Sequence, residues 1–192
     1  MASSTLNMKT KELLIESIKK IMKTKPLDKI SISEVVKNCG VSRRAFYYHF
    51  GDIYEAIAWA CERDFKYLIK QDKPDESYSE KARRFLNYLI DNRSMFIGIQ
   101  NSSQSWRIKN MFFRITGDYI FNILKNDLYA KNIKEQELKI LADCYSTSVA
   151  AIISSCVMSE IDASAEFLIT LIEKSLVDSY RCVLKAISNI ES

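Results

Sequence analysis

Five side chains within seven positions carry the densest potential chemistry in this 192-residue chain: Arg43, Arg44, Tyr47, Tyr48 and His49, the last being its only histidine. A guanidinium presents a planar fork of donors that fits the O6 and N7 edge of guanine in a bidentate contact. Phenol hydroxyls and an imidazole N–H suit phosphate oxygens, which fix register without reading sequence. In isolation an arginine doublet is an ordinary solvated charge pair, and paired tyrosines are an ordinary packing edge. Their conjunction on one short segment points to a surface that meets a polyanion.

The local sequence supplies the elements that would hold such a surface. Ser31-Ile-Ser-Glu34 is a capping box, in which Ser31 accepts from the Glu34 amide and Glu34 reaches back to the Ser31 amide. A short helix follows, burying Ile32, Val35 and Val36, and it ends at Gly40, suited to a left-handed C-terminal residue. Ser42 is the N-cap of a second short helix anchored by Val41 and Phe46. Two short helices joined by a turn at Cys39-Gly40-Val41 form a helix-turn-helix, whose second helix enters the major groove of DNA. With Phe46 and Phe50 inward at i and i+4, Arg43, Arg44 and Tyr47 face outward, with Tyr48 and His49 along the flank. Ser31 and the first amides of its helix form a phosphate site.

Charge agrees with this placement. Through Gly51 there are ten Lys/Arg against four acids, and beyond it eighteen against twenty, so the formal charge of +4 hides a basic end on a slightly acidic body. With 47% hydrophobic residues, four glycines and two prolines, the chain suits a soluble, mostly helical protein with a sizeable core. No apolar run is long enough to span a membrane or resembles a signal peptide, so a cytoplasmic protein without membrane association is expected. Five cysteines (Cys39, Cys61, Cys144, Cys156, Cys182) lack any C-x-x-C spacing and are expected to be reduced and mostly buried. With one histidine there is no ligand set for a metal, no cofactor is implied, and no general base suggests an enzyme.

The stretch "ISISEVVKNCGVSRRAFYYHFGD" (residues 30 to 52) closely resembles the helix-turn-helix signature of the TetR family of transcriptional regulators. The G-V-S-x-x-x-F-Y-x-H-F core is matched at Gly40, Val41, Ser42, Phe46, Tyr47, His49 and Phe50, and the resemblance extends over roughly residues 8 to 60. It implies base contacts from Arg43 and Arg44, close approach of Ala45 to a base or sugar, and phosphate contacts from Tyr47 and His49. Tyr48 falls at a variable position contacting backbone or base. Two departures stand out: Ile53 replaces a lysine that usually grips phosphate from the fourth helix, and Val36 replaces a small alanine.

Helical periodicity covers most of the chain, giving an all-α fold of about nine helices. The expected division is a three-helix DNA-binding domain over 1–52 and a larger helical domain over 53–192. Helices are expected over about 7–24, 52–71, 78–92, 106–125, 134–158 and 163–187. Lys73-Pro74-Asp75 acts as a breaker, "QNSSQS" (100–105) as a loop, and Gly117 as a bend. On the last helix Ser175, Ser179, Cys182 and Ala186 form a stripe of small residues beside Leu168, Leu171, Ile172, Leu176 and Val183. Ser146, Ala150 and Ser154 form another on the preceding helix. Such stripes permit close helix approach. The resemblance implies that they pair with a second copy as a four-helix bundle; the alternative is that both stripes pack within one chain. A homodimer would read two half-sites of a palindromic operator on double-stranded DNA. Aromatics crowd the middle helices, and family members often bind a small effector there. Trp106 and Phe113 are the expected pocket walls, and Arg107 and Arg114 face solvent or an anionic ligand. The expected function is a ligand-responsive repressor. The alternative is a co-regulator that acts through a protein partner, with little ligand affinity or autonomous operator affinity.

Overall fold

A computed structural model describes residues 2–73, 75–158 and 165–190. Among them the chain is all helical, with nine helices and three short 3-10 or π turns. These are α1 (Ala2–Met22), α2 (Ile32–Cys39), α3 (Arg43–His49), α4 (Ile53–Lys70), α5 (Tyr78–Asp91), α6 (Arg93–Gln100), α7 (Ser105–Lys125), α8 (Glu135–Met158) and α9. The last runs as Ala165–Ile172, passes through a π-helical turn at Glu173–Asp178 and continues as Ser179–Ile190. The expected start of α9 at Ala163 and the breaker Pro74 lie outside the described residues. Among the described residues no helix is long and apolar enough to cross a membrane.

Contacts divide the chain into two compact units, one of Met1–Asp64 with Asn92–Met111, the other of Phe65–Asp91 with Phe112–Ser192. This division does not run at 52/53, because residues 53–64 and 92–111 join the helix-turn-helix. In the first unit Leu14, Ile18, Val35, Phe46, Ile57 and Cys61 are fully buried. The buried Ser17 hydroxyl of α1 donates to the Val35 carbonyl at 2.8 Å and accepts from the Asn38 amide at 3.1 Å, pinning α2 to α1. Burial pushes the Cys61 thiol up to about 12, an inert core group.

Helix α6 is absent from the sequence reading. It is parted from α5 by one residue, Asn92, with neither Gly nor Pro at the junction. Its signal was the spacing of Met95 and Ile99, both buried. Gly98 on this helix is where α1 comes close: an added Cβ would lie 2.8 Å from Met22 Cε. The "QNSSQS" segment is a fastened turn, with Ser102 Oγ donating to the Ile99 carbonyl at 2.7 Å.

In the second unit Leu124, Ala130, Ile133, Leu138, Ala142, Tyr180 and Leu184 form a continuous buried core. Gly117 lies within uninterrupted helix, where an added Cβ would meet Asp143 Oδ1 at 3.4 Å. That is an ordinary contact distance, and α7 runs unbroken past α8 there where a bend was expected. The small-residue stripes divide by burial. Ser146 and Leu168 are sealed inside the unit, Ala150, Ser154, Ile172 and Val183 are half-buried, and Leu171, Ser175, Cys182 and Ala186 are exposed. Ser179 is turned inward, its hydroxyl sharing a 2.9 Å hydrogen bond with Tyr145. The π turn accounts for this break in the stripe: i→i+5 bonding rotates later positions off a continuous 3.6 repeat. Cys144 and Cys182 are exposed and Cys39 half-buried, so the cysteines are less uniformly buried than expected. The side chains of Cys156 and Leu176 lie outside the described residues.

Candidate nucleic-acid interface

The turn that sets α3 against α2 is made by backbone chemistry. Gly40 sits at φ +71, in the left-handed region, and its amide donates to the Val36 carbonyl. Nothing lies within 4 Å of where its Cβ would be, so torsion, not space, calls for glycine there. Ser42 is extended at φ −82, ψ 155, and its hydroxyl accepts from the Ala45 amide at 3.0 Å, starting α3.

On α3 the Phe46 and Phe50 rings are sealed and pack edge-on at 6.1 Å. The opposite face is open: Arg43 and Arg44 are exposed, Tyr47 is 52% exposed and Tyr48 76%. Neither arginine pairs with an acid among the described residues, so both forks are free to meet an external acceptor. Ala45 is half-buried at the same end. His49 is half-buried too, with its ring 5.0 Å from Tyr48. Burial, and then the charge of Lys11, hold its pKa below the usual 6.5, so the imidazole is neutral at pH 7.

At the start of α2 the Ser31 hydroxyl accepts from the Glu34 amide at 3.3 Å, while Lys25 Nζ donates to the Glu34 carboxylate at 2.7 Å. The Lys25 bond is the main cause that holds Glu34 below the usual carboxylate range, with the Ser31 amide a lesser one. The Ser31 half of the expected capping box is therefore a long bond, and its acid is shared with a lysine.

The start of α4 departs most from expectation. Ile53 is 7% exposed and belongs to the core. Around it stands the expected N-cap Asp52, joined by a second carboxylate, Glu55, that sequence reading missed. Asp52 accepts from the Glu55 amide at 2.6 Å, and Glu55 accepts from the Gly51 amide at 2.8 Å. The signal was D-x-x-E at 52–55, the acidic counterpart of the serine box identified at Ser31. The amides that would greet a phosphate here are already spent on the chain's own carboxylates. Asp52 is further bound by Arg107 Nη1 at 2.7 Å, so the half-buried Arg107 is engaged as a clamp within the protein.

Five further residues, Asp28, Tyr54, Ser103, Lys11 and Trp59, brace this surface, and sequence reasoning did not place them there. Asp28 accepts from the Tyr54 hydroxyl at 2.7 Å and from the Ser103 amide at 2.9 Å, which hold its carboxyl below the usual range. Lys11 Nζ lies over the Trp59 ring at 4.9 Å and the Phe50 ring at 5.5 Å, fixing α1 beside the end of α3. These partners are distant in sequence and carry no local motif.

The expected pocket walls fall elsewhere. Trp106 is 59% exposed in the first unit. The second unit holds a cavity of about 170 Å³ whose aromatic wall includes Phe65, Phe85 and Phe112 and excludes Phe113. One residue of register separates Phe112 from Phe113, about a quarter turn of α7, enough to move the ring off the cavity.

Known proteins share this arrangement. Residues 14–55 match the family described as bacterial regulatory proteins, tetR family, and residues 76–178 match the transcriptional regulator C-terminal region of the same group. A curated relative, the HTH-type dhaKLM operon transcriptional activator DhaS of Lactococcus lactis subsp. lactis (strain IL1403), is 26% identical over 100 residues. That match covers 50% of this chain and spans about half of the relative, 54% of its length. A solved structure titled dihydroxyacetone kinase operon activator DhaS superposes with a TM-score of 0.69 at 19% identity, covering 90% of this chain and 97% of that one. At that identity the likeness speaks for the fold.

Proposed function

Because the chain belongs to the TetR family of bacterial transcriptional regulators, we propose that it binds a palindromic operator as a homodimer and answers to a small effector. It is a DNA-binding transcriptional regulator, and the finer reading rests chiefly on one observation. The face of α3 opposite Phe46 carries Arg43, Arg44, Tyr47 and Tyr48 exposed, with both guanidinium groups unpaired among the described residues. The arginines read base edges, and Tyr47, His49 and Ser31 hold phosphates, with Ala45 close to the sugar or base. The exposed Leu171, Ser175, Cys182 and Ala186 of α9, with Ile140 exposed on α8, support pairing of these helices with a second copy. An effector in the second unit would favour a spacing of the two recognition helices that no longer fits the operator.

Whether bound protein lowers or raises transcription is a separate matter. Repression is the expectation from the family resemblance, while the curated relative DhaS is named an activator, which favours activation as a second reading. The carboxylates of Asp52 and Glu55 at the start of α4 also favour a weaker autonomous grip on DNA, as a partner-dependent co-regulator would have. Selection of genomic fragments by the purified protein separates these readings. Enrichment of a palindrome supports autonomous operator binding, and retention of no fragment without a second protein supports the co-regulator. Transcription in vitro from the selected fragment then gives the sign.

A further inference from the structure

The cavity of the second unit has a chemistry of its own. Phe65, Phe85 and Phe112 form a cluster along its wall, with ring centroids 5.3 to 6.0 Å apart, and isoleucines of α7 face them. Eight polar side chains, Tyr180 among them, reach the wall among the described residues, and each is already engaged within the protein. Thr116 donates to the Phe112 carbonyl at 2.7 Å, and Tyr145 shares its hydrogen bond with Ser179 at 2.9 Å. Tyr119 donates to Asp72 at 2.5 Å, Arg84 bridges Asp72 and Glu76, and Lys81 lies 3.5 Å from Asp72. Glu173 accepts from Ser79 at 2.5 Å. The charged groups of the wall balance one another, Asp72 and Glu173 against Lys81 and Arg84.

We infer that this cavity binds a neutral, apolar molecule of about one-ring size and rejects polyols and carboxylates of the same bulk. The inference rests on the effector role proposed for the second unit and names the ligand class that role would use. Volume sets the size: an engineered apolar cavity of about 150 Å³ stays dry and takes up benzene. Hydrogen bonding sets the class. A hydroxylated ligand entering here would surrender its water partners and find few replaced, because the wall is chiefly aromatic and aliphatic and its polar groups already hold partners within the protein. An anion would meet a wall with no net positive charge to draw it in. An apolar ring asks for nothing but contact and displaces little well-bound water.

Toluene, glycerol and benzoate are suitable probes for calorimetric and thermal titration of the full-length protein. Toluene should bind saturably and raise the melting temperature by about 5–10 °C at one hundred times its Kd. Glycerol and benzoate should do neither. Ala82→Leu fills the cavity from α5 with a good helix former, and should weaken toluene at least tenfold while helicity and melting temperature hold. Phe85→Ala enlarges the space, and should turn preference from toluene to naphthalene by tenfold or more, which keeps the test open if Ala82→Leu does not fold. Saturable binding of benzoate or glycerol overturns the inference, as does undiminished toluene binding by a folded Ala82→Leu or saturable binding by no probe. Toluene that binds while operator affinity stays constant upholds the ligand class and removes the effector reading instead.

Discussion

Replacing Arg43 by alanine separates reading of bases from mere attraction to DNA. Arg43 is exposed and makes no ion pair among the described residues, so the fold loses nothing it uses and stability should change by less than about 0.5 kcal/mol. A bidentate fork on guanine is worth about 1–3 kcal/mol. Two protomers on a palindrome would lose twice that, about 2–6 kcal/mol, or roughly thirtyfold to 10⁴-fold in operator affinity. A scrambled duplex offers no matched guanine, so its affinity should fall far less. Fluorescence anisotropy on both duplexes, repeated across salt concentrations, measures the difference. Tyr47→Phe is the control, since loss of a phosphate contact should weaken both duplexes alike. Equal losses on operator and scrambled DNA for Arg43→Ala would refute base reading by this residue.

Three other outcomes follow from the same surface. Glu55→Gln keeps an acceptor for the Gly51 amide but removes a negative charge beside α3; operator affinity should rise a few-fold at low salt and the gain should vanish at high salt, as gel shifts would show. Gly40→Ala meets no steric obstacle but must hold φ +71, so thermal denaturation should reveal a loss of about 1–2 kcal/mol, some 2–8 °C in Tm. For His49 the folded pKa lies below 6.5, so as pH falls past 6.5 the unfolded chain takes up the proton first and the fold loses stability until the folded pKa is passed. Urea midpoints at pH 7.5 and 5.5 should therefore differ less in His49→Gln than in the original protein; an equal difference would mean the histidine contributes nothing to acid sensitivity.

The recognition surface was legible because its chemistry is local. Ser31, Gly40, Ser42, Phe46 and Phe50 act on backbone groups or core positions within a few residues of themselves, and the structure has each in the expected place. The junction of α5 and α6 was not legible, because one ordinary residue, Asn92, makes the turn. The small-residue stripe on α9 was read as continuous, because nothing in the residue types announces a π turn. Trp106 and Phe113 were chosen for aromatic character, yet one is exposed and the other lies one position off the residue that lines the cavity.

By itself the sequence determined the helix-turn-helix and the residues on its outer face, since caps, turn torsions and helical period are set by near neighbours along the chain. Only the tertiary structure decided that Ile53 joins the core, that Arg107 clamps Asp52, and that Asp28 holds Tyr54 and Ser103. It also decided that every described polar group around the cavity is already engaged. Those outcomes depend on which distant side chains arrive at the same point, and hydrogen bonds and ion pairs reach only a few ångströms. No spacing within one segment encodes that meeting.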